Sequence, residues 1–380
     1  MEVIPMAENY EPIQKVRKEL QVKWYRCPIE PPRLRELTRR SDLQGAFQTL
    51  GFIALTVATG LAVFYTFSVR AWFWFAISLF AHGTVYNFYA GVAVHELSHG
   101  TVFKTKWLNE LFNRFSSLIS WHNPYDYKMS HTYHHIYTLH PEGDREVVLP
   151  TNPTLHFLFL LQLFTVIFFG ARAEPYAYPM VPNIGGTLRL AFTGRHSKEW
   201  LRAVFADQEP MRRKTVRWAW ILILFHTALI VVAIVFKIWM LPVVITFAPF
   251  MANWLRYFVA VPMHTGLRDN VTDFRLCVRT ITLFPLISFI YWRMNWHTEH
   301  HMYAAVPCYN LKKMHKTVAF DMPEPRTLFG AWREIRQIRR KQKDDPSYQF
   351  DTPLPEQKRE ERTQDALEAS IGDLDPRSMG

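Results

Sequence analysis

The chain has 380 residues, of which 49% are hydrophobic and 15% aromatic, and it carries a formal net charge of +11. This apolar content excludes a disordered protein, and three widely separated cysteines exclude a disulfide-stapled secreted domain. Most Lys and Arg residues lie between or outside long apolar stretches, where they would meet anionic lipid headgroups on a cytosolic face. The positive charge therefore indicates membrane topology and not nucleic-acid binding.

The first third of the chain predicts a helical hairpin in a membrane. Residues 1–42 are polar and contain no apolar core of a signal peptide, so we expect a cytosolic N-terminal segment there. Two apolar stretches follow at about 43–68 and 71–95, each long enough to cross roughly 30 Å of hydrocarbon. The connection around Arg70 is so short that the two stretches must be neighbours in space.

A second hairpin is predicted at 218–236 and 240–262. Four spans with both chain ends in the cytosol leave only Arg70 and Lys237 on the far side, which is a strong positive-inside asymmetry. The apolar stretches at 155–170 and 281–292 are shorter, and we expect them to lie in or dip into the interface. The predicted fold is all-α and integral to the membrane, with four transmembrane helices in two hairpins and a cytosolic helical cap.

The chain divides into three predicted parts. A cytosolic N-terminal segment covers residues 1–42, and the membrane domain covers residues 43–320. Residues 321–380 form a charged cytosolic tail, which is expected to be partly disordered because the sequence after about Glu334 is rich in charge and poor in aromatic residues.

Eight of the sixteen histidines fall in three clusters. On a helix, residues at i, i+3 and i+4 share a face, so each cluster can direct its imidazoles at one place. The clusters are His95 with His99; His131, His134 and His135; and His297, His300 and His301.

The histidine clusters are expected to lie at the same depth in the membrane. A helix from residue 71 to 94 rises about 36 Å, so His95 is expected at the cytosolic rim. His264, just beyond the end of the fourth predicted span, is expected at the same rim. His82 lies roughly 20 Å deeper on a straight helix and cannot join the site, and His226 is interpreted as a hydrogen-bonded packing residue.

Ligands on both sides of 155–170 and of 281–292 must meet, so neither stretch can cross the membrane.

Eight or nine neutral imidazoles suit first-row metals, and they are too many for one ion. Two ions would receive four or five nitrogens each, and imidazole alone does not choose between iron, zinc and copper. The stretch His95-Glu96-Leu97-Ser98-His99 also matches H-E-x-x-H, in which two histidines bind zinc and the glutamate acts as the general base of a protease. That alternative of an intramembrane zinc protease leaves the other two clusters unexplained.

The three clusters resemble the histidine boxes of the membrane fatty acid desaturase superfamily, which also includes alkane hydroxylases and carotenoid hydroxylases and ketolases. The stretch His131-Thr-Tyr-His134-His135-Ile-Tyr-Thr138, followed by Asp144 and Glu146, is similar to the second box. Residues 295–315, which begin Asn-Trp-His297-Thr-Glu-His300-His301, are similar to the third box and its continuation. The resemblance covers roughly residues 45–320. In the first box three residues separate the histidines, whereas many acyl-CoA desaturases have four.

The resemblance implies two iron ions at the cytosolic membrane face, with O₂ as co-substrate, and removal of hydrogen from an unactivated carbon. It implies desaturation of a fatty acyl or lipid-like chain, and hydroxylation of a lipid, alkane or specialised metabolite remains the alternative. The ligands that it implies are His95, His99, His131, His134, His135, His297, His300 and His301, with His264 in the place of an additional histidine.

Two further expectations concern the surroundings of the metals. Asp126, Asp144 and Asp273 are candidates to accept the second ring N–H of ligand histidines. The sequence has no Rossmann glycine fingerprint, no cysteine set for an iron–sulfur cluster and no cytochrome b5 signature, so an external electron donor is expected: cytochrome b5, ferredoxin or a reductase. The expected location is the endoplasmic reticulum of a eukaryote or the inner membrane of a bacterium.

Overall fold

The computed structural model describes residues 10–147, 153–170 and 177–355, and this part of the chain is mainly helical. One pair of two-residue strands occurs in these ranges, β1 (Ile281–Thr282) parallel to β2 (Arg326–Thr327). The helices are α1 (Ile13–Glu19), α2 (Pro31–Leu37), α3 (Asp42–Ser68), α4 (Trp72–Tyr86), α5 (Val94–Ser98), α6 (Lys106–Ile119), α7 (Pro124–Tyr137), α8 (Phe157–Phe164), α9 (Met180–Thr193), α10 (Glu199–Val204), α11 (Glu209–Val235), α12 (Met240–Val244), α13 (Trp254–Ala260), α14 (Phe274–Cys277), α15 (Pro285–Ile290), α16 (His297–Met302), α17 (Leu311–Val318) and α18 (Leu328–Asp344).

Helices α3 and α4 form the predicted first hairpin. The Ser41 hydroxyl caps α3 by accepting a hydrogen bond from the Gln44 N–H at 3.3 Å, and the turn places Arg70 at φ 55°. Within the hairpin, Gly60 leaves space for the His82 ring, whose Nε2 lies 2.8 Å from the Val244 carbonyl oxygen. His82 therefore links helices far from the histidine clusters, as the sequence indicated.

Two helices of the described residues, α3 and α11, are long and apolar enough to cross a membrane. The sequence predicted four continuous spans, and the second and fourth stretches are interrupted instead. After α4, the backbone leaves helical geometry at Ala90 and at Gly91, which has φ 74°. The fourth stretch is divided into α12, a 3₁₀ turn at Ala248–Phe250, and α13. Pro249, in this 3₁₀ turn, lacks the N–H that a continuous helix requires, so it favours the division.

The two shorter apolar stretches form short helices. Helix α8 has eight residues and α15 has six, so neither is long enough to cross hydrocarbon. Arg145 precedes the first of these stretches and Glu199 follows it, and their side chains form an ion pair at 2.7 Å. The chain segments before and after residues 155–170 therefore meet at this ion pair, as expected if the stretch does not cross a membrane.

The predicted tail is more ordered than expected as far as residue 355. Helix α18 buries Ala331, Ile335 and Ile338, which follow the i, i+4, i+7 spacing of an apolar helix face. Ile338 packs onto Gly266, at a position where a Cβ atom would lie 2.9 Å from it. The many charged residues of this segment lie mainly on the outer face of the helix. They dominate its composition, so the narrow apolar face is not evident from the sequence average. Residues 356–380 of the predicted tail lie outside the described residues.

The contact between α4 and the segment around Met251 depends on a glycine. A Cβ atom at Gly83 would lie 2.8 Å from the Met251 carbonyl oxygen, which belongs to the backbone. We expect Gly83→Ala to lower the free energy of unfolding by about 1–3 kcal/mol because the two segments must separate. Gly185→Ala on α9 is the control, since nothing lies within 4 Å of the added methyl group. Melting temperatures of the detergent-solubilised proteins measure the difference, and equal values for the two variants would contradict this packing.

Candidate metal centre

The structure brings all nine predicted histidines together in two adjacent groups. In each group, every residue offers one nitrogen, and these nitrogens lie within 4.8 Å of one another. The groups are His95, His99, His131, His135 and His300, and His134, His264, His297 and His301. Helices α7 and α16 each contribute to both groups, because adjacent histidines such as His134 and His135 lie about 100° apart around the helix.

The inward nitrogens of the histidines are close to one another. Nε2 atoms are separated by 2.7 Å between His95 and His300, and by 2.9 Å between His131 and His135. In the second group, the His297 Nε2 lies 3.1 Å from that of His264 and 3.2 Å from that of His301. The groups touch where the His135 and His301 rings stack at 4.4 Å.

Several outward Nδ1 atoms have polar partners. The His134 Nδ1 lies 2.8 Å from an Asp144 carboxylate oxygen, and the His131 Nδ1 lies 3.1 Å from a Glu146 oxygen. His264 donates from Nδ1 to the Cys277 carbonyl oxygen at 3.1 Å. A proton held at Nδ1 leaves the Nε2 lone pair free and directed inward, which is the arrangement found in metal-bound histidines.

Two hydroxyl groups extend this pattern. The Tyr127 hydroxyl lies 2.8 Å from the His95 Nδ1, and the Thr138 hydroxyl lies 3.1 Å from the His301 Nδ1. Tyr127 was not among the predicted partners of the histidines. A signal was present, because Tyr127 precedes His131 by one helical turn on α7 and so shares its face; the two rings stack at 5.0 Å.

Burial keeps most of these imidazoles neutral. It lowers the pKa of His99, His135 and His264 well below the usual range, with a further contribution from neighbouring histidines. Burial also acts on His134, but the Asp144 carboxylate outweighs it and raises the pKa of His134. Burial would raise the pKa of Glu146, yet the contacts with His131 and His134 hold it at about 2. Neutral imidazoles and ionised carboxylates are the forms that bind and orient a metal.

The three predicted aspartate partners have different surroundings. Asp144 lies against His134, whereas Asp126 pairs with His196 at 2.9 Å. Asp273 caps α14 and forms an ion pair with Arg275 at 2.7 Å. The carboxylate beside the predicted ligand His131 belongs to Glu146, which was not among the three predicted aspartates. Asp126 and Asp273 therefore do not contact any of the nine histidines through a hydrogen bond in the described part of the chain.

Glu96 is fully buried beside the first group. Its Oε1 lies 3.6 Å from the His300 Nδ1 and 4.0 Å from the His95 Nε2, and burial raises its pKa to about 8. In zinc hydrolases with H-E-x-x-H, three protein ligands leave one coordination position open. Here His95 and His99 belong to a group of five histidines, which is two more protein ligands than such a zinc site has. The geometry thus disfavours the protease.

The donor set fits bound metal ions. Lone pairs of neutral imidazoles that face one another at 2.7–3.2 Å repel unless a proton or a cation lies between them. Because the outer nitrogens of His131, His134 and His264 are engaged with acceptors, their protons are not available at Nε2. Imidazole nitrogens in such groups suit first-row transition metals.

Comparison with protein families agrees with this geometry. The sequence matches the family described as fatty acid desaturase over residues 70–332, well over half of the chain. The chain belongs to the fatty acid desaturase family. The resemblance noted in the sequence is thereby confirmed, and this desaturase-family match includes all nine histidines and implies an oxidoreductase. Comparison with curated proteins gives no match.

Asp144 and Asp126 offer a matched pair of charge-removing substitutions. Asp144→Asn removes the carboxylate that orients His134. Hydrogen-bond partners of metal-binding histidines typically contribute about 10- to 100-fold to metal affinity or activity. Asp126→Asn removes the same charge from the contact with His196, which belongs to neither group. We expect only Asp144→Asn to weaken metal retention, measured as the metal content after dialysis against graded chelator. Equal losses in both variants would contradict the assigned role of Asp144.

Proposed function

We propose that this protein is an O₂-dependent di-iron desaturase, which introduces a double bond into a fatty acyl or lipid-like chain. The observation that supports this most is the division of nine histidines into a group of five and a group of four that share α7 and α16. Family membership supports iron as the metal, since the ligands alone do not choose it.

The roles of the protein side chains follow from their positions. All nine histidines are proposed metal ligands, and Asp144 and Glu146 fix the ring orientation of His134 and His131. When bound, the two irons supply the binding and reduction of O₂. Eight of the nine histidines are buried and His99 is half-buried, so the protein excludes bulk water from the reacting atoms.

The membrane location rests on the surfaces of α3 and α11. Only 22% of the apolar window in α3 and 28% of that in α11 is buried within the protein. Large apolar side chains project outward, including Phe47, Leu61, Leu224 and Val235. We propose that α3 with α4, and α11 with the interrupted segment that follows it, form two membrane hairpins. The histidine groups then lie at the cytosolic rim of the endoplasmic reticulum or bacterial inner membrane.

The reaction needs electrons from outside the substrate. Desaturation removes two hydrogen atoms from the chain, and complete reduction of O₂ to two water molecules requires two further electrons and two protons. These electrons are proposed to come from cytochrome b5, ferredoxin or a reductase. Hydroxylation begins with the same removal of hydrogen but transfers one oxygen atom to the substrate, so product analysis by mass spectrometry distinguishes the two reactions.

Metal content tests the site directly. We expect about two iron ions per chain in active protein, because each group offers four or five imidazoles. His134→Ala and His300→Ala remove one ligand from each group and should abolish activity while circular dichroism shows that the helices are retained. His156→Ala is the control, since His156 is exposed and caps α8. Active protein with one zinc ion and no iron would refute the di-iron proposal and favour a protease.

Substrate length tests the proposed lipid class. Apolar burial contributes about 0.8 kcal/mol per methylene, so an acyl chain shortened by four carbons loses about 3 kcal/mol, or up to roughly 200-fold in kcat/KM. Acyl lipids of graded length, supplied with a reducing system, measure this dependence by product mass spectrometry. If the protein oxidises a small water-soluble molecule and no acyl lipid, the proposed lipid substrate is wrong, whereas the proposed di-iron oxidase activity is retained.

A further inference from the structure

Trp24 connects the protein surface to the second histidine group through ring contacts. It is half-buried and lies in the N-terminal segment between α1 and α2. Its indole ring stacks on Phe274 with the ring centroids 3.9 Å apart and the planes 11° from parallel. Phe274 is fully buried, and its ring centroid lies 5.6 Å from that of His301.

The indole N–H provides a connection to the first group. It donates a hydrogen bond to the Ile136 carbonyl oxygen at 2.8 Å, and Ile136 follows His135 on α7. The His135 and His301 rings stack at 4.4 Å, one from each group. Trp24 therefore contacts one residue next to each ring of this stack, Ile136 beside His135 and Phe274 beside His301.

The surface around Trp24 is accessible to a partner. A hollow of about 160 Å³ is separated from Trp24 by His140, and its polar lining also includes Glu19 and Glu142. The His140 ring contacts the Trp24 ring edge-to-face, with 5.5 Å between centroids. Trp24 lies outside the residues matched by the family, so this contact is a feature of the N-terminal segment of this chain.

We propose that Trp24 and Phe274 form the route by which electrons pass from an external one-electron carrier protein to the histidine groups. The inference rests on the proposed di-iron function, which needs electrons that neither the substrate nor this chain supplies. Electron tunnelling through protein weakens steeply with distance. Stacked aromatic rings replace a wide gap between donor and acceptor with two short contacts, and the hydrogen bond to Ile136 adds a second short path.

The electron balance of the step is simple. The reduced carrier docks over Trp24 and loses one electron, and the metal centre that the two histidine groups would hold gains it. A second carrier molecule repeats the step before one substrate is oxidised. No bond forms or breaks in Trp24 or Phe274, which act as positioning residues for the transfer.

A surface-attached photosensitiser tests this route without requiring the natural donor. Cys27, Cys277 and Cys308 are free but buried, so Lys23→Cys gives an exposed thiol beside Trp24 that can be labelled selectively with a ruthenium polypyridyl complex. A laser flash in the presence of a sacrificial reductant, without oxygen, then delivers one electron at a time to the iron-loaded protein. Loss of the ferric absorption gives the rate of reduction.

In this labelled background, Trp24→Leu and Phe274→Leu each remove one ring of the stack. We expect both to slow reduction several-fold, and Trp24→Phe to recover part of the rate because it keeps a ring against Phe274. Trp332→Leu is the matched control. Trp332 is also half-buried, donates its indole N–H to the Phe258 carbonyl oxygen at 2.9 Å and packs on Tyr257 and Phe258, but no ring contact joins it to the nine histidines in the described residues.

Iron content and melting temperature are measured for every variant before its rate is interpreted. If Trp24→Leu does not retain iron, Trp24→Phe and Phe274→Leu decide the question. Unchanged reduction rates in iron-loaded variants would overturn the proposed route, and so would an equal loss in Trp332→Leu. Failure of the parent protein to bind iron, or to be reduced by dithionite, would instead refute the di-iron function and is therefore a separate outcome.

Discussion

The arrangement of this protein depends on holding nine imidazoles, most of them neutral and buried, with nitrogens that face one another. A buried polar nitrogen without a hydrogen bond is costly, and the surrounding structure provides partners for several of the outer nitrogens. Asp144, Glu146 and the Cys277 carbonyl oxygen do this for His134, His131 and His264. The inner nitrogens of several of these histidines face one another at 2.7–3.2 Å, and a bound metal ion would replace that repulsion with coordination.

This convergence explains the irregular backbone around the histidines. Left-handed backbone conformations occur at Leu139 after the second box, at Gly266 after His264, and at Trp292 and Arg293 before the third box. A residue other than glycine in this conformation costs about 1–3 kcal/mol and persists only where surrounding contacts hold it. The Leu139 N–H, for example, donates to Asp144 at 3.0 Å, so the carboxylate that orients His134 also stabilises the sharp turn after the helix.

Local patterns predicted the histidine groups well and the connections poorly. Spacing at i, i+3 and i+4 placed each box on one turn of helix, and the structure unites the boxes with His264. Hydropathy windows could not detect the breaks near Gly91 and Pro249, because interrupted and continuous apolar segments have the same mean. Asp126 was assigned to a ligand because it lies near the second box, but its partner His196 is seventy residues away in sequence. Which polar residue the Asp126 carboxylate contacts depends on the tertiary structure, which local sequence patterns do not reveal.

The segment that precedes the family match also supports the site. Arg275 on α14 pairs with Asp273 and, at 2.5 Å, with Asp321, while the Tyr25 ring lies 4.1 Å from its guanidinium group and the Tyr25 hydroxyl donates to Asp321. Removing one partner of such a buried ion pair typically costs about 3–5 kcal/mol, because the other charge is left without compensation. The same short helix α14 ends at Cys277, whose carbonyl orients His264. The N-terminal segment is thus joined, through one buried arginine, to the geometry of the second histidine group.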